Sequence, residues 1–160
     1  MIANASYTNN QFGFTIIELV MVIVLLGTLS ATAMPKFFSK NSYADRALFD
    51  DALHAASYAQ KLAIATGCPV LFSINSDAYT LRRSTTCNSE IYTLDVPHPS
   101  SGASQFSGGE SDISLTATPS SSITFSALGN ASSDATITVA RKCFKIVADT
   151  GYVYELDSCP

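Results

Sequence analysis

The sequence predicts an α+β protein: a long amino-terminal helix packed on antiparallel β-sheet. Three observations predict it. From residue 14 to residue 34 the chain runs 21 residues with one charge, Glu18. An amphipathic helical pattern follows as far as Gly67. Beyond Pro69 the apolar residues change to the alternating spacing of strands.

The first element, 14–34, is long enough to cross a bilayer, which needs about 20 apolar residues. A carboxylate within such a segment costs roughly 2.5–3.5 kcal/mol near its centre and less near an end, so it normally has a partner. Pro35 follows directly, where a proline removes a backbone hydrogen bond and bends the axis. Ala44, Leu48, Ala52, Ala55, Ala59 and Leu62 then recur at spacings of four and three, a stripe that predicts helix over 35–66. Asp45, Asp50, Asp51 and Lys61 fall off the stripe. Thr66-Gly67-Cys68-Pro69 supplies both a glycine stop and a proline breaker. If continuous, the helix spans about 75 Å at 1.5 Å per residue.

Residues 67–160 read as a β-rich domain. Val70, Phe72 and Ile74 alternate, as do Tyr79 and Leu81, around a turn at Asn75-Ser76-Asp77. Further strands are expected at 90–95, 113–117, 123–127, 135–140, 143–148 and 152–156, giving six to eight in all. The stretch 97–112 is rich in Ser and Gly and reads as a loop. Asp149-Thr150-Gly151 joins the last two strands as a hairpin turn.

Four cysteines are present: Cys68, Cys87, Cys143 and Cys159. None forms a C-x-x-C, and the spacings match no common zinc pattern. An even count beyond a membrane anchor reads as disulfides formed in an oxidising compartment. Of the three possible connectivities, local pairing is preferred because each sequential pair brackets a hairpin: Cys68–Cys87 and Cys143–Cys159. Each closed loop would stabilise by ~3 kcal/mol in the chain-entropy model.

The sequence carries 9 basic and 13 acidic residues for a net charge of −4. That balance argues against nucleic acid as a partner, because phosphate affinity comes mainly from Lys and Arg. No P-loop, G-x-S-x-G or G-x-G-x-x-G occurs, so neither enzyme activity nor a cofactor or metal is expected. The two histidines, His54 and His98, read as solvated surface residues. Arg82-Arg83 and Arg141-Lys142 read as charged strand edges, which discourage sheet-to-sheet aggregation.

Gly13-Phe14-Thr15-Ile16-Ile17-Glu18-Leu19-Val20 resembles the leader junction of type IV prepilins and type II secretion pseudopilins. Two other readings compete. Ala31-Thr32-Ala33 has the form of a signal-peptidase site, although residues 1–13 hold no Lys or Arg and Glu18 would interrupt the apolar region. A plain membrane anchor with an accidental Glu is the second. Lys36 and Lys40 lie just beyond the span, and the positive-inside rule alone would favour the opposite orientation. The prepilin resemblance implies that a prepilin peptidase removes the leader, 1–13, by cutting between Gly13 and Phe14 and methylates the new terminus. It implies that 14–34 is the membrane and assembly helix of a single-pass inner-membrane protein with a periplasmic domain. It also implies that Glu18 neutralises the amino terminus of a neighbouring pilin subunit in a filament, and that a proline such as Pro35 kinks the helix.

Tyr58-Ala59-Gln60-Lys61-Leu62-Ala63-Ile64-Ala65-Thr66-Gly67, Ile123-Thr124-Phe125-Ser126-Ala127-Leu128-Gly129 and Thr150-Gly151-Tyr152-Val153 extend the likeness into the domain. They resemble H-type minor pseudopilins and minor pilins, most of all a minor pilin of the mannose-sensitive haemagglutinin (MSHA) pilus system. The expectation is therefore a pilin-like structural subunit, with an H-type secretion pseudopilin as the alternative. A DNA-uptake minor pilin is disfavoured, because the closing residues Tyr152-Val153-Tyr154-Glu155-Leu156-Asp157 lack basic character.

Overall fold

A computed structural model describes residues 13–37, 40–75 and 77–160. It divides into two compact units, residues 1–40 and 41–160. Among the described residues it holds two helices and nine strands.

The first unit contains α1, Ile16–Phe37. Its large apolar side chains from Phe14 to Leu29 are exposed on every side of the helix. Among the described residues no helix is long and apolar enough to cross a membrane. Side chains of α1 are described only through Ser30, so the membrane span expected over 14–34 rests on the sequence. The leader expected over 1–13, apart from Gly13, lies outside the described residues. So do residues 38 and 39, and with them the expected continuity of the two helices.

The second unit is built around α2, Lys40–Thr66. Gly67 ends it with a positive φ of 66°, the left-handed conformation that glycine adopts without a Cβ clash. The buried stripe is wider than the sequence pattern: Phe49, Ala56 and Ala63 join Leu48, Ala52, Ala55 and Ala59. Ala44 and Leu62 pack at its margins.

Two antiparallel sheets share one core with this helix. In the first, β1 (Val70–Asn75) lies between β2 (Ala78–Ser84) and β6 (Ser122–Phe125). The far edge of β2 carries two short strands in succession, β4 (Ser107–Gly109) opposite Ala78–Thr80 and β3 (Tyr92–Asp95) opposite Arg82–Ser84. The Leu81 amide, between them, donates to the Phe106 carbonyl at 2.9 Å. The second sheet runs β5 (Leu115–Thr118), β7 (Ala135–Val139), β8 (Lys142–Ile146), β9 (Val153–Leu156). Alternate residues of β1 and β7 enter the core, as period-two spacing requires.

The disulfides join Cys68 to Cys87 and Cys143 to Cys159, with Cα–Cα distances of 4.3 and 5.6 Å. The first closes the β1–β2 hairpin beyond both strand ends. The second ties Cys143, near the start of β8, to the segment after β9.

Three expectations are corrected. β4 lies inside the stretch read as a loop, because the open edge of β2 supplies hydrogen-bond partners that composition does not reveal. Arg82 and Arg83 are not on an edge: β2 is paired on both sides, and Arg82 Nη2 lies 3.9 Å from Asp95 Oδ1 on β3. Lys142 is likewise in an interior strand, where it pairs with Glu155 of β9 and sits 4.9 Å from the centroid of the Phe49 ring.

The fully buried alanines set the helix–sheet distance, and this predicts the effect of enlarging one. Ala59→Leu should lower stability by about 1–3 kcal/mol through overpacking. Chemical denaturation monitored by circular dichroism measures it, with Lys61→Leu on the exposed face as a control that should change little.

Candidate functional site

At the start of α1, Thr15 occupies the N-cap position. Its Oγ1 accepts a hydrogen bond from the Glu18 amide at 3.3 Å, and its carbonyl accepts from the same amide at 3.1 Å. Thr15-Ile16-Ile17-Glu18 therefore has the spacing of a capping box, a signal legible in the sequence but masked there by the processing motif. Glu18 lies in the first turn, where the helix dipole favours a negative charge. Its side chain is exposed, as is Phe14. A Cβ at Gly13 would meet nothing within 4 Å, so the Gly13–Phe14 bond is open on the glycine side. Pro35 lies within α1.

A second constellation joins the segments that carry the domain-level likeness. Gln60 Nε2, on α2, donates to the Gly129 carbonyl at 3.2 Å and to the Thr150 carbonyl at 2.7 Å. One side-chain amide thus satisfies two loop carbonyls, one after β6 and one between β8 and β9. Gly151 has φ 63°, and a Cβ there would stand 2.0 Å from the Gly129 oxygen. These contacts fix both loops against the end of α2.

Asp51, placed off the apolar stripe, proves to be the centre of a third cluster. The Tyr79 hydroxyl donates to Asp51 Oδ2, and His98 Nε2 lies 3.7 Å from Asp51 Oδ1. Burial first, and then the bond to and charge of Asp51, hold the Tyr79 phenol well above the usual tyrosine range. Gly108 makes the arrangement possible, since a Cβ there would be 2.8 Å from the Tyr79 ring and hydroxyl. His98 is not a solvated residue: its side chain is 16% exposed and its ring packs 4.1 Å from Phe106. Its Nδ1 accepts from the amides of Ser100 and Ser101, both at 3.2 Å, which leaves Nε2 carrying the proton that faces Asp51. Ser100 Oγ is 3.3 Å from the same Nδ1, but that lone pair already serves two backbone donors. The contacts gathered on His98 Nδ1 hold residues 98–101 together as a loop clamp. His54 is exposed on α2. Among the described residues, no group of three or more His, Cys, Asp or Glu is placed to hold a metal ion.

Residues 8–34 match the family model of the prokaryotic N-terminal methylation motif. No curated protein matches the chain. Among solved structures, the type IV minor pilin FimU of Pseudomonas aeruginosa superposes in two crystal forms. The P65 form gives a TM-score of 0.51 at 10% identity, covering 72% of this chain and 99% of that one. The P21 form gives 0.52 at 8% identity, covering 75% and 98%. Identity at that level shows the fold. A prepilin-type methylation motif ahead of a minor-pilin fold defines the class of the molecule, a pilin-like protein. The chain thus joins an N-terminal methylation motif at residues 8–34 to a domain with a pilin-like fold.

Gly151→Ala tests the Gln60 constellation. The left-handed backbone and the contact with the Gly129 oxygen together should cost about 1–3 kcal/mol, read as a lowered melting temperature. Gly102→Ala, also at positive φ but with nothing within 4 Å of its Cβ, should cost less.

Proposed function

We propose that this protein is a minor subunit of a type IV pilus-like filament, of the MSHA type. A prepilin peptidase cuts between Gly13 and Phe14 and methylates Phe14. Residues 14–34 hold the subunit in the inner membrane with its β-rich domain in the periplasm, and the same helix then carries it into the filament.

The observation that carries this reading is the conjunction at the start of α1. A capped helix begins three residues after an unobstructed glycine, places its lone carboxylate in the first turn and exposes apolar side chains all round. Such a helix suits an environment of lipid or of other helices. Glu18 then neutralises the amino terminus of a neighbouring subunit. Opposite charges brought together in low dielectric attract strongly, whereas one left alone is costly, so the pair selects the register of subunit addition. The MSHA assignment rests on Tyr58–Gly67 and the following Cys68, which form the end of α2 and its glycine stop.

Two measurements test the reading. Coexpression with a prepilin peptidase should give a chain beginning at N-methylated Phe14 by mass spectrometry, and Gly13→Leu should block the cut. A chain beginning at Met34 would establish signal-peptidase cleavage instead. Glu18→Gln should leave processing and domain stability unchanged but sharply lower the amount of subunit in sheared filaments relative to membranes. Normal filaments lacking the subunit, together with a defect in protein export on its deletion, would move the assignment to an H-type secretion pseudopilin.

A further inference from the structure

On the face of the domain beside the first disulfide, a cleft of about 410 Å³ is lined by Glu90, Tyr92, Thr124, Ser126, Asn130 and Ser132. No Lys or Arg lines it, and its one formal charge is the Glu90 carboxylate. Every other lining residue carries a neutral hydroxyl or amide.

Both walls are held by bonds that do not involve the open side of the cleft. The Glu90–Tyr92 wall follows a turn fixed by the Cys68–Cys87 disulfide and by Ser84, which is 2% exposed. Ser84 Oγ lies 2.5 Å from the carbonyl oxygens of Thr86 and Ser89, sharing its single O–H between them. The Ser89 amide donates to the Thr86 carbonyl at 2.9 Å, and the Thr85 amide to that of Ile91 at 3.1 Å. The opposite wall is a reverse turn closed by the Ser126 amide on the Asn130 carbonyl and the Ser132 amide on the Thr124 carbonyl, both at 2.9 Å. A site with fixed walls loses little entropy on binding.

The hydrogen-bonding capacity left over is specific. The Ser126 hydroxyl donates to Asn130 Oδ1, which leaves both Nδ2 hydrogens of Asn130 to donate elsewhere. Ser132 Oγ accepts from the Thr124 amide at 3.1 Å, so its own hydrogen is free. The Glu90 carboxylate, the Tyr92 hydroxyl and Thr124 Oγ1 have no partner among the described residues. Donors from Asn130 and Ser132 thus stand with an anionic acceptor, two further hydroxyls and one aromatic ring. An anionic ligand would meet Glu90 without a compensating cation. A metal ion would find a single carboxylate. A purely apolar ligand would leave the unpaired groups buried and unsatisfied, at about 1–3 kcal/mol each.

We propose that this cleft binds a neutral pyranose unit of a glycan. Pyranose hydroxyls each donate and accept, matching the mixed set of free groups, and the apolar C–H face of the ring packs against an aromatic such as Tyr92. The volume falls in the range of small-molecule sites, about 300–1,000 Å³. The inference does not depend on how the subunit is assembled.

Saturation-transfer NMR on the full chain tests it, using the methyl glycosides of glucose, galactose and mannose, N-acetylglucosamine, and glycerol as the control. The detergent must be zwitterionic, because an alkyl glycoside would itself occupy the site. At least one pyranoside should show saturable transfer well above glycerol. Tyr92→Ala should weaken that binding roughly three- to tenfold, the effect of losing one stacked aromatic, while Tyr92→Phe retains most of it. Asn130→Ala should weaken it as well. Tyr92 is half-buried and Asn130 exposed, and melting temperatures measured alongside separate lost binding from lost folding. The proposal is overturned if no pyranoside exceeds glycerol, or if folded Tyr92→Ala and Asn130→Ala titrate like the parent chain.

Discussion

The close seating of α2 on the two sheets is the contact on which the domain depends. Ala52, Ala55, Ala56, Ala59 and Ala63 are all fully buried, and a face of methyl groups lets the helix axis approach the strands more nearly than leucines would. Alanine also has the highest helix propensity and loses no side-chain entropy on burial, so one choice of residue serves both local and tertiary structure. Larger groups enter at defined points. Phe49 meets Phe144 of the second sheet edge-on, with ring centroids 5.8 Å apart, while Asp51 reaches Tyr79 of the first. Gln60 joins the end of the helix to two loop carbonyls.

Much of this architecture was legible because it is local. The spacing of apolar residues marked α2, the alternation at Val70, Phe72 and Ile74 marked β1, and the hairpins made sequential disulfides reasonable. What escaped was non-local. β6 pairs with β1 across some fifty residues, and the split into two sheets follows from that pairing rather than from any periodicity. β4 has the sequence Ser107-Gly108-Gly109, which has no strand propensity, and forms because the edge of β2 is open to it. Gly108 is required there by the Tyr79 hydroxyl, a neighbour that no local window contains.

The candidate sites divide along the same line. The Gly13–Glu18 motif is contiguous, and as a motif it could be read from the chain. Asp51 lies off the apolar stripe and His98 in a loop, and neither position signals a partner in the sequence. Their partners, Tyr79 and Phe106, come from β2 and the loop before β4. Thr15 is an intermediate case: its capping role was available in the sequence, yet the neighbouring residues suggested processing more strongly. Glu18 thus sits in a favourable local place on its own helix as well as in the position proposed for contact between subunits.

The junction of α2 with β1 determines how the domain would bear tension. A pull delivered along α2 reaches the sheet at Val70, only four residues beyond Thr66. There β1 is hydrogen-bonded on both sides, to β2 and to β6, so it cannot be peeled from an open edge. Load directed along its length would have to shear both ladders at once, the more resistant geometry. Cys68 stands at the point of entry and is covalently fixed to Cys87, beyond the end of β2. Much of the force would therefore pass through a covalent bond before reaching the ladders, giving the domain the character of a reinforced coupling between rope and load.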